Sequence, residues 1–258
     1  MKKIKIVATI EARMNSKRLP GKVMKKFGKY PLLGVLIDRL RRSKKIDDIV
    51  VATSINKKDN KIVNFLKKKG INYYRGSENN VNLRVIKAAR KYNANLIVQL
   101  TADNPFVDHK IIDYMINFFI KNIGKYDYVT NCGLGDYSKS HVPLGFNVQL
   151  FLFKHLEANY KYCNRKDLKE HPSLYFYREG KRKYRLKNLP IKSPKTNLNI
   201  RLTVDTINDF KLARLVFKKL GHGKNANFEL KDVINFFNKN KSYIKINENV
   251  IQKKVNLK

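Results

Sequence analysis

Four short apolar runs, KIKIVATI (3–10), DDIVVATS (47–54), INYYRGS (71–77) and NLIVQLTAD (95–103), alternate with segments whose apolar positions recur at helical spacing. The helical segments are PLLGVLIDRLRR (31–42), NKKDNKIVNFLKKKG (56–70) with its glycine stop, and a stretch from about Asn80 to Tyr92. A chain that alternates in this way can pair its strands in parallel only through right-handed crossovers, and the resulting sheet is covered by helices on both faces. HKIIDYMINFFIKN (109–122) extends the pattern as a helix and YDYVTN (126–131) as a short strand. At 258 residues the expectation is one α/β domain spanning 1–258.

From about Gly133 to Asn199 the periodicity loosens. Aromatics accumulate there, and the basic run REGKRKYRLKNLP (178–190) suits either a strand or a charged ribbon. We expect an excursion from the sheet in this stretch, a β-arm that covers a site or mediates homodimerisation. Order resumes with NIRLTVDT (199–206), read as a strand, and INDFKLARLVFKKLG (207–221), a helix with Gly221 past its end.

Lys and Arg number 56 against 20 Asp and Glu, for a net charge of +36. Such an excess points either to a polyanion-binding surface or to a compositional drift toward lysine. The lysines are spread along the whole chain, Ile, Asn, Tyr and Phe are abundant and Trp is absent, which is the pattern of a drifted, solvated surface. We therefore expect no specific nucleic-acid partner and, with no long apolar run, no membrane insertion. The start resembles no secretory signal, and the two cysteines, Cys132 and Cys163, have no metal-ligand spacing, so the expected compartment is the cytoplasm.

Doubly wound sheets bind ligands beyond the carboxyl ends of their strands, so the residues there carry the functional question. After the first strand comes EARMNSKRLPGK (11–22), a loop with Arg13, Ser16, Arg18 and Lys22 and one Pro-Gly pair. It is neither a Walker loop nor a dinucleotide fingerprint. After the later strands come Thr53 and Ser54, then Arg75, Gly76 and Ser77, then Thr101 and Asp103, and finally Asp205. Two lone acids opposite a basic loop suit a polyphosphate, with Lys and Arg neutralising phosphates and the aspartates supplying hard oxygen ligands to Mg2+. The alternative is plain: a solvated turn for the loop, and capping duty for each aspartate.

ARMNSKRLPGK resembles the A-R-x-x-S-x-R-L-P-G-K signature of the sugar cytidylyltransferases. The ordered set ARMNSKRLPGKV, IDDIVVATS, YYRGSENNV, TADNPFVD and LTVDTINDF is similar to the SpsF-type branch, over most of the chain from Ile6 to about Leu220. The resemblance implies a GT-A-like, Rossmann-related fold and transfer of a nucleoside monophosphate from a triphosphate, CTP above all, to a small sugar acceptor. It implies that Arg13, Arg18 and Lys22 hold the triphosphate, that Ala12 and Ser16 orient the nucleotide, and that Arg75, Ser77 and Thr101 lie near the base. Asp103 and Asp205 would hold Mg2+, while Asn147, Gln149, Glu170 and His171 would face the acceptor. A sugar-1-phosphate nucleotidyltransferase using GTP or another triphosphate is the alternative within the class, and a basic nucleic-acid-binding protein the alternative outside it.

The chain departs from the branch pattern at Asn79 and Asn80, where two acids are usual, at Asn147, where Asp is common, and at Lys169, where Arg is common. Loss of three acidic sites suits a more anionic acceptor, such as a sugar phosphate or phosphonate.

Overall fold

The computed structural model describes residues 3–221 and 226–253. Its centre is a seven-stranded sheet in the order β5-β4-β1-β6-β8-β7-β9. The strands are β1 (Ile6–Glu11), β4 (Asp48–Ser54), β5 (Asn72–Gly76), β6 (Leu96–Thr101), β7 (Tyr128–Thr130), β8 (Gln149–Leu152) and β9 (Leu186–Asn188). A separate two-stranded ribbon joins β2 (Lys26–Phe27) to β3 (Tyr30–Pro31). The helices are α1 (Leu32–Leu40), α2 (Asn60–Lys68), α3 (Val81–Lys91), α4 (His109–Lys121), α5 (Phe153–Asn159), α6 (Lys166–Glu170), α7 (Leu174–Tyr177), α8 (Ile207–Leu220) and α9 (Leu230–Lys239).

Strand β1 lies between β4 and β6 and is buried along its length except at Glu11, which explains why its sequence is apolar without strict alternation. Side chains on its two faces enter different cores. Ile6, Ala8 and Ile10 join α1, α2, α4, α8 and α9 on one side, whereas Val7 joins α3, α5 and α7 on the other. The chain first moves outward from β1 through β4 to β5, then crosses under α3 to β6 on the other side of β1. The direction of winding thus reverses between β1 and β6, and the crevice at such a switch point is the natural ligand position.

Two expectations change. The stretch 133–199 is irregular, but instead of leaving the sheet it supplies β8 and β9 to it. Strand β8 pairs antiparallel with both β6 and β7, and β9 pairs parallel with β7. The stretch 199–206 is extended but is not a strand. Its backbone amides find separate partners, Leu202 N–H donating to Leu144 O at 2.7 Å and Val204 N–H to Asp103 O at 2.8 Å, so no ladder forms. Gly145, at φ +112, allows this approach, because a Cβ there would stand 2.7 Å from the carbonyl carbon of Leu202. No helix among the described residues is long and apolar enough to cross a membrane.

Candidate active site

The loop that leaves β1 is shaped by local bonds. Gly21 adopts a left-handed conformation at φ 67 and donates its N–H to Met14 O at 2.9 Å, which closes the loop and starts a short 3-10 turn at Lys22. Leu19 N–H reaches the Ser16 hydroxyl at 3.4 Å. Met14 N–H donates to Asp59 Oδ1 at 2.7 Å, and the other oxygen of this buried carboxylate accepts from Thr53 and Ser54. Asp59 thus anchors the basic loop to the end of β4, and the hydroxyls of the last two residues of β4 are used in holding it.

At the switch point the loop meets both acids. Lys22 Nζ donates to Asp103 Oδ2 at 2.7 Å and to Asp205 Oδ1 at 2.9 Å. Arg18 reaches the same Asp205 oxygen at 2.9 Å, and Arg201 takes its Oδ2 at 2.8 Å while also bonding the buried Asp209 at 3.0 Å. The Thr101 hydroxyl donates to Asp103 Oδ1 at 2.5 Å and accepts from Asn104. Burial by itself would pull the Lys22 pKa down, but the two carboxylates outweigh it and hold the ammonium above the ordinary lysine value. Asp205 is likewise pushed up by burial but held below the usual aspartate range by Lys22, Arg18 and Arg201. Neither acid is a cap, since α8 begins with Thr206 and Asp209 in a capping box and α4 with Asp108.

The face of the sheet covered by α3, α6 and α7 carries a second polar group. Arg13 pairs with Glu170 at 3.3 Å. His171 follows at the end of α6, partly buried, with burial lowering its pKa and Glu170 opposing that. Gln149 sits on β8 opposite Gln99, and its amide oxygen accepts from the Tyr128 and Ser173 hydroxyls at 2.6 and 2.5 Å. Asn147 Oδ1 accepts from Gly145 N–H at 3.3 Å.

The residues at and after the end of β5 have local work as well. Arg75 donates to the carbonyls of Ser54 and Asn56 and to Asn60 Oδ1, so its guanidinium staples the β4–α2 loop. Ser77 accepts from Asn80 N–H at 3.1 Å. Asn80 caps α3 by accepting from Leu83 N–H at 2.9 Å, and it donates to the Tyr160 hydroxyl. The cap uses only the side-chain oxygen, which asparagine and aspartate both supply. Ala12 is buried, with its N–H on Ala52 O at 3.2 Å.

Four contributors escaped the sequence reading. Asp59 was hidden in a helix pattern. Arg201 lay in what resembled a strand. Arg84 is buried in α3 and donates to the carbonyls of Ala52 and Ser77. Glu11, at the end of β1, receives Gln99 Nε2 at 2.5 Å, and desolvation raises its pKa to about 7 against the pull of Gln99 and Arg84. A carboxyl closing an otherwise apolar strand was the available signal for the last.

A doubly wound sheet with a closed basic loop at its switch point, facing two carboxylates, suits work on a nucleotide's phosphates, and the match to a family model makes the chain an enzyme of the nucleotidyltransferase class. The chain belongs to the cytidylyltransferase family, whose model matches residues 7–243. It is 31% identical over 239 residues to the spore coat polysaccharide biosynthesis protein SpsF of Bacillus subtilis, covering 91% of this chain and 95% of that one. An uncharacterized protein of Methanocaldococcus jannaschii is 38% identical over 250 residues, 97% of either chain. Among solved structures, a cytidylyltransferase from Leptospira borgpetersenii superposes with a TM-score of 0.84 at 32% identity, covering 94% of this chain and 97% of that one.

Proposed function

We propose that the protein transfers CMP from CTP to an acidic sugar, a sugar phosphate or a related anionic acceptor, releasing pyrophosphate, in the synthesis of a cell-surface glycan. The observation that carries this reading is Lys22, whose ammonium bonds both Asp103 and Asp205 at the switch point. In this reading Lys22, Arg18 and Arg13 hold the triphosphate. Attack of an acceptor oxygen on the α-phosphorus builds negative charge on the departing pyrophosphate. Cations fixed in place before the reaction stabilise that charge more than the ground state, so Lys22 acts mainly on turnover.

Asp103 and Asp205 fit a divalent cation by donor chemistry: both are carboxylates, and one oxygen of each lies within hydrogen-bond distance of a single nitrogen atom. Mg2+ bound by them would supply charge neutralisation and orientation of the phosphates. The Thr101 hydroxyl donates to Asp103 and restrains its carboxylate. In this reading Glu170, His171, Asn147 and Gln149 face the acceptor, and the Arg13–Glu170 pair, which ties the basic loop to α6, supports it for Glu170. His171, kept neutral by burial, is suited to accept or donate a hydrogen bond to the acceptor.

The test is a pyrophosphate-release screen of the four nucleoside triphosphates with Mg2+ against acidic sugars, sugar phosphates and phosphonates. Release with CTP and one acceptor class is expected, with Lys22→Ala and Asp103→Ala lowering it at least about a hundredfold. Unchanged release in both variants would remove the mechanism, and release with GTP and a sugar 1-phosphate alone would replace the nucleotide.

A further inference from the structure

The bonds of Lys22 have a consequence for how a metal could reach the site. Asp103 and Asp205 meet Lys22, Arg18 and Arg201, with Asp209 as the other partner of Arg201, so three cations face three carboxylates. Their charges already cancel. Lys22 is almost enclosed, and its ammonium takes up one oxygen of each carboxylate, the donors that a divalent cation held by this pair would need. A free divalent cation entering this cluster must break two short charge-assisted bonds and then sit beside three fixed positive charges, with only short distances and low-dielectric walls between them. A triphosphate carrying the same ion brings oxygen anions for Lys22 and Arg18 to turn to, so each cation exchanges one anionic partner for another.

We propose that Lys22 excludes free divalent cations from Asp103 and Asp205, so that the metal enters only as its complex with the nucleotide. This rests on the reading of Asp103 and Asp205 as the metal-holding pair, and it assigns Lys22 a second role, as the partner that occupies both carboxylates before substrate arrives. The ligand that the resting enzyme selects is then a metal–nucleoside triphosphate complex, net negative in charge, and not the two components in turn. The overall charge of +36 acts in the same direction, attracting the complex and repelling the bare ion.

The experiment uses the full chain without nucleotide and Mn2+ as the probe, with bound ion measured by electron paramagnetic resonance. The wild type is expected to show no saturable Mn2+ binding in the low millimolar range until CTP is added. Lys22→Met should bind free Mn2+ at least about tenfold more tightly than the wild type, because two carboxylates lose their shared partner. Lys22→Arg should keep the exclusion. Thermal unfolding supplies a second readout, with Mn2+ alone raising the midpoint of Lys22→Met and leaving the wild type where it was. If Lys22→Met does not fold, Arg18→Gln, which removes a more exposed partner of Asp205, should show the same gain in smaller measure.

Wild-type protein that binds free Mn2+ as tightly as Lys22→Met overturns the inference, as does a failure of every variant to gain affinity. The free-metal arms involve neither the base nor the acceptor. Should no cytidylyl transfer ever be detected while the free-metal pattern holds, the proposed reaction falls and the exclusion stands.

Discussion

Replacing Glu11 by glutamine should make the protein more stable at neutral and alkaline pH. The Glu11 carboxyl closes β1, accepts from Gln99 on β6, and lies in the field of Arg84 on α3, Arg13 in the basic loop and Asp103 after β6. Desolvation is the largest of these influences and raises its pKa from 4.5 to about 7. The folded chain therefore holds a proton that the unfolded chain has released between those two values. Stability from this group is fully present below about pH 4.5, falls as pH rises, and is gone above about 7. At about 1.4 kcal/mol for each tenfold change, the ionised carboxyl costs the folded state about 3 kcal/mol. Glutamine has the same shape, still accepts from Gln99, and does not ionise. In urea unfolding followed by circular dichroism, Glu11→Gln and the wild type should keep a constant difference below pH 4.5. Between there and pH 8 the variant should gain about 3 kcal/mol relative to the wild type. Parallel pH dependences, or a Glu11 carboxyl resonance that titrates in the ordinary glutamate range, would refute the reasoning.

Other outcomes follow from single contacts. Gly145→Ala puts a methyl group 2.7 Å from Leu202 in a left-handed backbone position, so it should cost more than about 1 kcal/mol in a denaturant titration. It should also lower turnover, because the segment it displaces carries Asp205. Arg84→Met takes the guanidinium from the Ser77 carbonyl and leaves the Ala52 carbonyl with Ala12 N–H alone, and should destabilise by about 1–3 kcal/mol, seen as faster amide exchange in β4 and α3. Burial holds the Cys132 and Cys163 thiols up, the latter at about 11, so both should resist alkylation in the native protein at pH 8 and react once it is unfolded.

The strands β1, β4 and β6 were legible because both their faces are buried, and only a run of apolar β-branched residues satisfies that. The helices between them were legible for the complementary reason, a single buried stripe at 3.6-residue spacing. Strand β8 was not legible. Its place between β6 and β7 depends on pairing Gln99 with Gln149 and Thr130 with Gln149, contacts between residues far apart in sequence that no local pattern announces. The segment at 199–206 misled for the same reason, since burial and extension look like a strand whether or not a neighbouring strand supplies the ladder.

In the site, the residue types and their order along the chain were legible, because loops at the carboxyl ends of parallel strands must converge. Which side chains touch was not. Asp59, Arg84 and Glu11 act through partners contributed by other elements, and Arg75 and Asn80 proved to be occupied locally. The amino-acid order alone determined an alternating α/β sheet with basic and acidic groups along one edge, because burial and backbone pairing depend on neighbours a few positions away. Only the tertiary structure decided that one ammonium holds Asp103 and Asp205 together, because a bond of 2.7 or 2.9 Å between residues 81 and 183 positions apart exists only once the whole sheet has closed around it.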